Sequence, residues 1–94
     1  MLKIIGNDIC RRGQKVGYFD DNDIKGSNGR KLGYFDSRYV YSVDGRRLAW
    51  IEGNYLDSGS GNNSRVSLDI VNAKIVGGLL PIMGKCAIYV LIGT

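Results

Sequence analysis

The chain has 94 residues, 13 basic and 9 acidic, for a formal net charge of +4 with 44% hydrophobic residues. One small domain with its own core follows, because such a chain is too apolar and too evenly charged to stay disordered and too short to split into two cores. Glycine supplies 14 positions, more than helices absorb at about 1 kcal/mol each relative to alanine, and they lack collagen's every-third spacing, which leaves a turn-rich all-β domain.

Residues 1–8 come first, with Leu2 to Ile5 expected as a closing strand paired with the C-terminal segment. The apolar run there is too short for the core of a signal peptide. The expectation is a cytoplasmic protein, peripheral to any membrane it meets.

Residues 9–70 read as four repeats. Gly13, Gly29, Gly45 and Gly61 fall sixteen residues apart, a spacing that marks an internal repeat. After them stand Lys15-Val16-Gly17-Tyr18-Phe19-Asp20, Lys31-Leu32-Gly33-Tyr34-Phe35-Asp36 and Arg47-Leu48-Ala49-Trp50-Ile51-Glu52. Each column keeps its chemistry: cation, branched aliphatic, tiny residue, aromatic, large apolar residue, carboxylate. A degenerate fourth copy, Arg65-Val66-Ser67-Leu68-Asp69-Ile70, aligns if the loop from Ser58 to Ser64 carries two extra residues. A branched residue opens every unit, Ile9, Ile24, Val40 and Leu56, and the first unit is one residue short.

Sixteen residues accommodate two short strands and two tight connections, so each unit is expected to be an antiparallel β-hairpin. Asn28-Gly29 and Asp44-Gly45 suit two-residue type I′ turns, in which both residues take positive φ. That register sets Ile24 opposite Gly33, Val40 opposite Ala49, Tyr39 opposite Trp50 and Tyr41 opposite Leu48. Neither hairpin face is polar, so the four units are expected in a pseudo-four-fold ring or shallow barrel that buries parts of both. The tiny column Gly17, Gly33, Ala49 and Ser67 then marks a close approach, by a neighbouring aromatic or by a segment on the central axis.

Residues 71–94 are the most hydrophobic stretch. Lys74, Gly77-Gly78, Pro81 and Lys85 interrupt any window long enough to cross a membrane as a helix. Cys86 to Ile92 suits a fully buried strand, and the tail is expected to plug or close the ring. A short helix before Gly77 would take Ser67 or Asp69 as its N-cap.

Four copies of an apolar residue, an Asp/Asn-Gly turn, a cation, an aliphatic and Gly-Tyr-Phe-Asp, followed by a hydrophobic tail, resemble the four-fold β-flower domains, small bacterial modules of four hairpin petals. The resemblance covers nearly the whole chain and carries no catalytic motif. It implies a layout similar to tubby-type C-terminal domains, with a hydrophobic central channel and association with membranes or lipids. The degenerate fourth copy departs from exact four-fold symmetry.

Histidine is absent, which excludes Ser-His-Asp and Cys-His catalysis within this chain and removes the commonest metal ligand. Cys10 and Cys86 lack any CxxC spacing. They are expected as two buried thiols, with a bridge as the alternative in an oxidising compartment. No metal site or cofactor is expected. Arg11, Arg12, Lys15, Arg30, Lys31, Arg46, Arg47 and Arg65 cluster near the glycine turns, while Asp20, Asp21, Asp23, Asp36 and Glu52 stand further along. Over five strand residues Lys31 and Asp36 lie roughly 16 Å apart, so the ring is expected to have a basic and an acidic edge. Lys15, Lys31, Arg47 and Arg65 are the candidate anion-binding residues. The expected function is a non-enzymatic binding or scaffolding module for a lipid surface or a small apolar ligand. One alternative is a small carboxylate-dependent hydrolase or metal-binding enzyme on Asp20, Asp36 and Glu52. Another is a nucleic-acid-binding module that stacks bases on the repeat aromatics beside those cations.

Overall fold

Strands alternate one side chain into the core and the next outward, and the repeat obeys that rule around its branched aliphatics. Ile9, Ile24 and Val40 are fully buried and Leu56 nearly so, while the residues before them, Asp8, Asp23, Tyr39 and Tyr55, are half-buried or exposed. The structure, a computed structural model, describes residues 1–58, 65–78 and 80–93. In chain order it contains β1 (Leu2–Ile5), β2 (Asp8–Arg11), β3 (Gln14–Asp20), β4 (Asp23–Gly26), β5 (Lys31–Phe35), β6 (Tyr39–Ser42), β7 (Arg47–Glu52) and β8 (Tyr55–Asp57). Then follow β9 (Arg65–Ser67), α1 (Leu68–Lys74), β10 (Ile75–Val76) and α2 (Ile82–Leu91). The fold is mostly β, built on one ten-stranded sheet in the order β10-β1-β2-β3-β4-β5-β6-β7-β8-β9.

Four hairpins, β2–β3, β4–β5, β6–β7 and β8–β9, make up most of the sheet. Ile24 pairs with Gly33, Val40 with Ala49 and Tyr39 with Trp50. The register then slips by one residue in each of the first three hairpins, after Ile9, Ile24 and Val40. Tyr41 therefore faces Arg47 and not Leu48. The unpaired extra residue is the repeated aliphatic, Val16, Leu32 or Leu48. A bulge bends its strand and raises its twist, so three bulges at equivalent places curve the sheet around one axis. The fourth hairpin pairs Leu56 with Val66 and Asp57 with Arg65 without a slip.

The turns also differ from the expected type I′ geometry. Asn28 and Asp44 do not take positive φ; only Gly29 (φ 86°) and Gly45 (φ 88°) do. Gly29 N–H donates to the Gly26 carbonyl and Gly26 N–H to that of Arg30, the pattern of a three-residue loop ending in a left-handed glycine. Asn28 Oδ1 accepts from Arg30 N–H at 3.0 Å and supports that loop. Among the described loops, only that of the first unit, one residue shorter, has two residues both at positive φ, Arg12 (53°) and Gly13 (77°). Gly61 and most of its loop lie outside the described residues.

The sheet does not close into a ring. β1 pairs in parallel with β10, Leu2 against Ile75 and Lys3 against Val76, and the other end of the sheet is β9. The fourth copy stops pairing at Ser67, whose Oγ accepts from Asp69 N–H at 3.1 Å and caps α1. That cap turns the chain out of the sheet before a full-length edge forms.

Cys86 to Leu91 is helical, with Ile92 as the cap, and not the expected buried strand. Met83, Cys86, Ala87 and Ile88 form the buried side of α2 and share one core with Ile9, Ile24, Val40, Ala49 and Val71. A segment lying across a concave sheet has no strand edge to pair with, and a helix satisfies its own backbone there. α2 therefore fills the space where the resemblance implied an apolar channel. Burial of each large aliphatic contributes about 1.5–3 kcal/mol.

Candidate functional site

The same alternation that buries the branched aliphatics places Asp8, Asp23, Tyr39 and Tyr55 on the outer face. Across the strands Asp8 faces Tyr18, Asp23 faces Tyr34 and Tyr39 faces Trp50. Each of the four candidate anion-binding cations lies over a tyrosine: Lys15 over Tyr18 (4.8 Å to the ring centroid), Lys31 over Tyr34 (4.6 Å), Arg47 over Tyr39 (4.5 Å) and Arg65 over Tyr55 (5.5 Å). Three also meet a carboxylate: Lys15 with Asp8 at 3.1 Å, Lys31 with Asp23 at 3.3 Å and Arg65 with Asp57 at 3.0 Å. Exposed ion pairs contribute about 0–1 kcal/mol and exposed cation–π contacts about 0.5–1 kcal/mol. The expected separation into a basic and an acidic edge is thus corrected. Across strands Lys15 and Lys31 reach acids of the neighbouring strand, so the two signs of charge meet on the outer face instead of separating to its edges.

The carboxylate column is dispersed as well. Asp20 pairs with Lys25 at 3.3 Å. Asp36 Oδ1 accepts from the N–H groups of Arg38 and Tyr39 at 2.8 Å each, and its Oδ2 accepts from the Tyr41 hydroxyl at 2.7 Å. The Tyr41 bond and then the two backbone bonds hold the Asp36 carboxyl below its ordinary value, and the same bond raises the Tyr41 phenol above its own. Glu52 lines a hollow with Tyr39, Arg47 and Trp50. Among the described residues no three His, Cys, Asp or Glu side chains gather where they could hold a metal ion.

The small column faces inward. A Cβ on Gly17 would stand 3.1 Å from Ile92 Cδ1, and one on Gly33 would stand 2.8 Å from Leu91 Cδ1. Ala49 is fully buried, and Ser67 is the helix cap. Gly29 and Gly45 pack beside the hydroxyls of Tyr18 and Tyr34, respectively. Gly13 has no neighbour where a Cβ would stand.

Both cysteines are free; Cys86 is buried in α2 and Cys10 is half-buried. Burial pushes the Cys86 thiol up to about 11. Cys10 belongs to a groove absent from the sequence reading, on the outer face of β10, β1 and β2. Its volume is about 580 Å³ and its lining includes Met1, Lys3, Ile5, Cys10, Arg12 and Val76. Met1 and Ile5 are 71% and 57% exposed, and the charged lining residues, Lys3 and Arg12, are both cations. The signal for this groove was Ile5, an aliphatic on the outward phase of β1, where Leu2 and Ile4 point inward.

No helix among the described residues is long and apolar enough to cross a membrane. No curated protein and no solved structure gives a significant match to the chain. The family model described as 4-fold beta flower protein matches residues 10–77, from the first hairpin through β10 and so well over half of the sequence. The hairpin repeats, the bulges at equivalent places and this match have one conclusion: the chain belongs to the 4-fold beta flower family.

Proposed function

We propose that this chain is a non-enzymatic binding module that docks on an anionic lipid surface through the outer face of β10, β1 and β2. The observation that carries the reading is the groove there, which presents exposed Met1 and Ile5 beside Lys3 and Arg12 and, among the described residues, has no acidic lining residue. Apolar side chains enter the interfacial region of a bilayer, while each cation near an anionic leaflet contributes about 1 kcal/mol. The rival sites are less suited. α2 already occupies the apolar concavity, Asp20 and Asp36 are engaged by Lys25 and the Tyr41 hydroxyl, respectively, and the Lys15 and Lys31 charges are offset by Asp8 and Asp23. The proposed location is the cytoplasmic face of a membrane.

Flotation with vesicles tests this. The protein rises with phosphatidylcholine vesicles containing phosphatidylserine and stays down with phosphatidylcholine alone, and Ile5→Ser or Lys3→Glu abolishes the rise. Absence of binding to both vesicle types overturns the reading.

A further inference from the structure

We propose that the third hairpin carries a binding site for a nucleoside monophosphate whose base bears an exocyclic amine. Hairpins that only built the sheet could share one sequence, yet the third differs from the first two at each position around one cleft. The loops Gly6-Asn7, Asp21-Asn22 and Gly53-Asn54 have Ser37-Arg38 as their counterpart. Trp50 stands where Tyr18 and Tyr34 stand, Glu52 where Asp20 and Asp36 stand, Tyr39 where Asp8 and Asp23 stand, and Arg47 where Lys15 and Lys31 stand. Departures from a repeat's own rule that converge in space mark function more than folding.

Those residues line two hollows that share Tyr39, Trp50 and Glu52. One, of about 300 Å³, lies on the outer face with Arg47. The other, of about 490 Å³, runs round the loop past Arg38 to Ile82 and Met83 at the start of α2. Their sizes fall within the range of small-ligand sites. Asp36 pins the loop through the backbone N–H groups of Arg38 and Tyr39, so the cap engages the main chain of Arg38 and not its guanidinium. Arg47 lies over the Tyr39 ring at 4.5 Å.

The chemistry selects the ligand class. Trp50 offers a face for a planar base beside the Tyr39 ring, one side of which Arg47 covers. Arg38 and Arg47 offer guanidinium forks that match a phosphate. Glu52 accepts only, so it favours a base amine and disfavours a base carbonyl at the same place, as carboxylates do when they read cytosine.

Trp50 is the one tryptophan of the chain, so its fluorescence reports this site. The full chain is titrated with AMP, CMP, UMP and ribose 5-phosphate, with excitation at the red edge of the tryptophan band. AMP and CMP give a saturable change, whereas UMP and ribose 5-phosphate bind at least about tenfold more weakly, and Arg38→Ala weakens AMP binding by a similar factor. Arg38 is exposed, and an unchanged thermal midpoint shows that Arg38→Ala is folded. Glu52→Gln brings UMP to within a few-fold of AMP. No saturation with AMP at millimolar concentration, equal binding of AMP and ribose 5-phosphate, or indifference to Arg38→Ala overturns the proposal.

Discussion

A methyl group placed on Gly33 would stand 2.8 Å from Leu91 Cδ1, inside any normal contact distance, and would also meet the Tyr41 carbonyl. The neighbouring strand's backbone therefore requires glycine there, and the end of α2 rests in the space that glycine leaves. Gly33→Ala is expected to lower stability by about 1–3 kcal/mol, the range of an overpacked core, as measured by urea unfolding followed by circular dichroism. A change of less than about 0.5 kcal/mol, the ordinary size of a surface substitution, would show that α2 does not rest there.

The Asp36–Tyr41 pair makes stability depend on pH at both extremes. The folded Asp36 carboxyl is held below its ordinary 3.8, so its stabilisation is present above that value and is lost as pH falls through the folded one. The Tyr41 phenol is held above its ordinary 10.0, so its share is present below 10.0 and is lost as pH rises through the folded value. The thermal midpoint of Asp36→Asn is expected below that of the wild type at neutral pH, with the gap closing in strong acid. A gap that stays constant into strong acid would show that the carboxylate is not the stabilising species.

Gly45 takes φ 88° at the end of its loop. A side chain there is strained whatever the space around it, so Gly45→Ala is expected to cost about 1–2 kcal/mol. The test is the midpoint of chemical denaturation. Retention of the wild-type midpoint would mean that the loop has another conformation open to it.

The two thiols are expected to differ in reactivity. Cys10 is half-buried and lines the outer groove, whereas Cys86 is buried with its thiol pushed up to about 11. An aromatic disulfide reagent at neutral pH should titrate one thiol per native chain and two in denaturant, because the thiolate is the reacting form. Two fast thiols in the native state would place Cys86 at the surface.

What the sequence determined by itself is local and periodic. Glycines, branched aliphatics and aromatics recurring every sixteen residues specify hairpins, and the expected pairing of Ile24 with Gly33 and Val40 with Ala49 is met because the bulge at Leu32 or Leu48 offsets a loop one residue longer than expected. Ser67 was legible as a helix cap because its hydroxyl needs only the N–H two residues ahead. Only the tertiary structure decided the rest. A seven-residue apolar run such as Cys86 to Ile92 suits either strand or helix, and the want of a free edge inside the concave sheet selects the helix. The slip at Val16, Leu32 and Leu48 depends on how the whole sheet curves. Charge placement was the least legible, since distance along the chain suggested separate edges while the fold brings Lys15 within 3.1 Å of Asp8. Glu52 was singled out as a carboxylate of the repeat column, but only folding sets the Ser37-Arg38 loop beside it and Trp50.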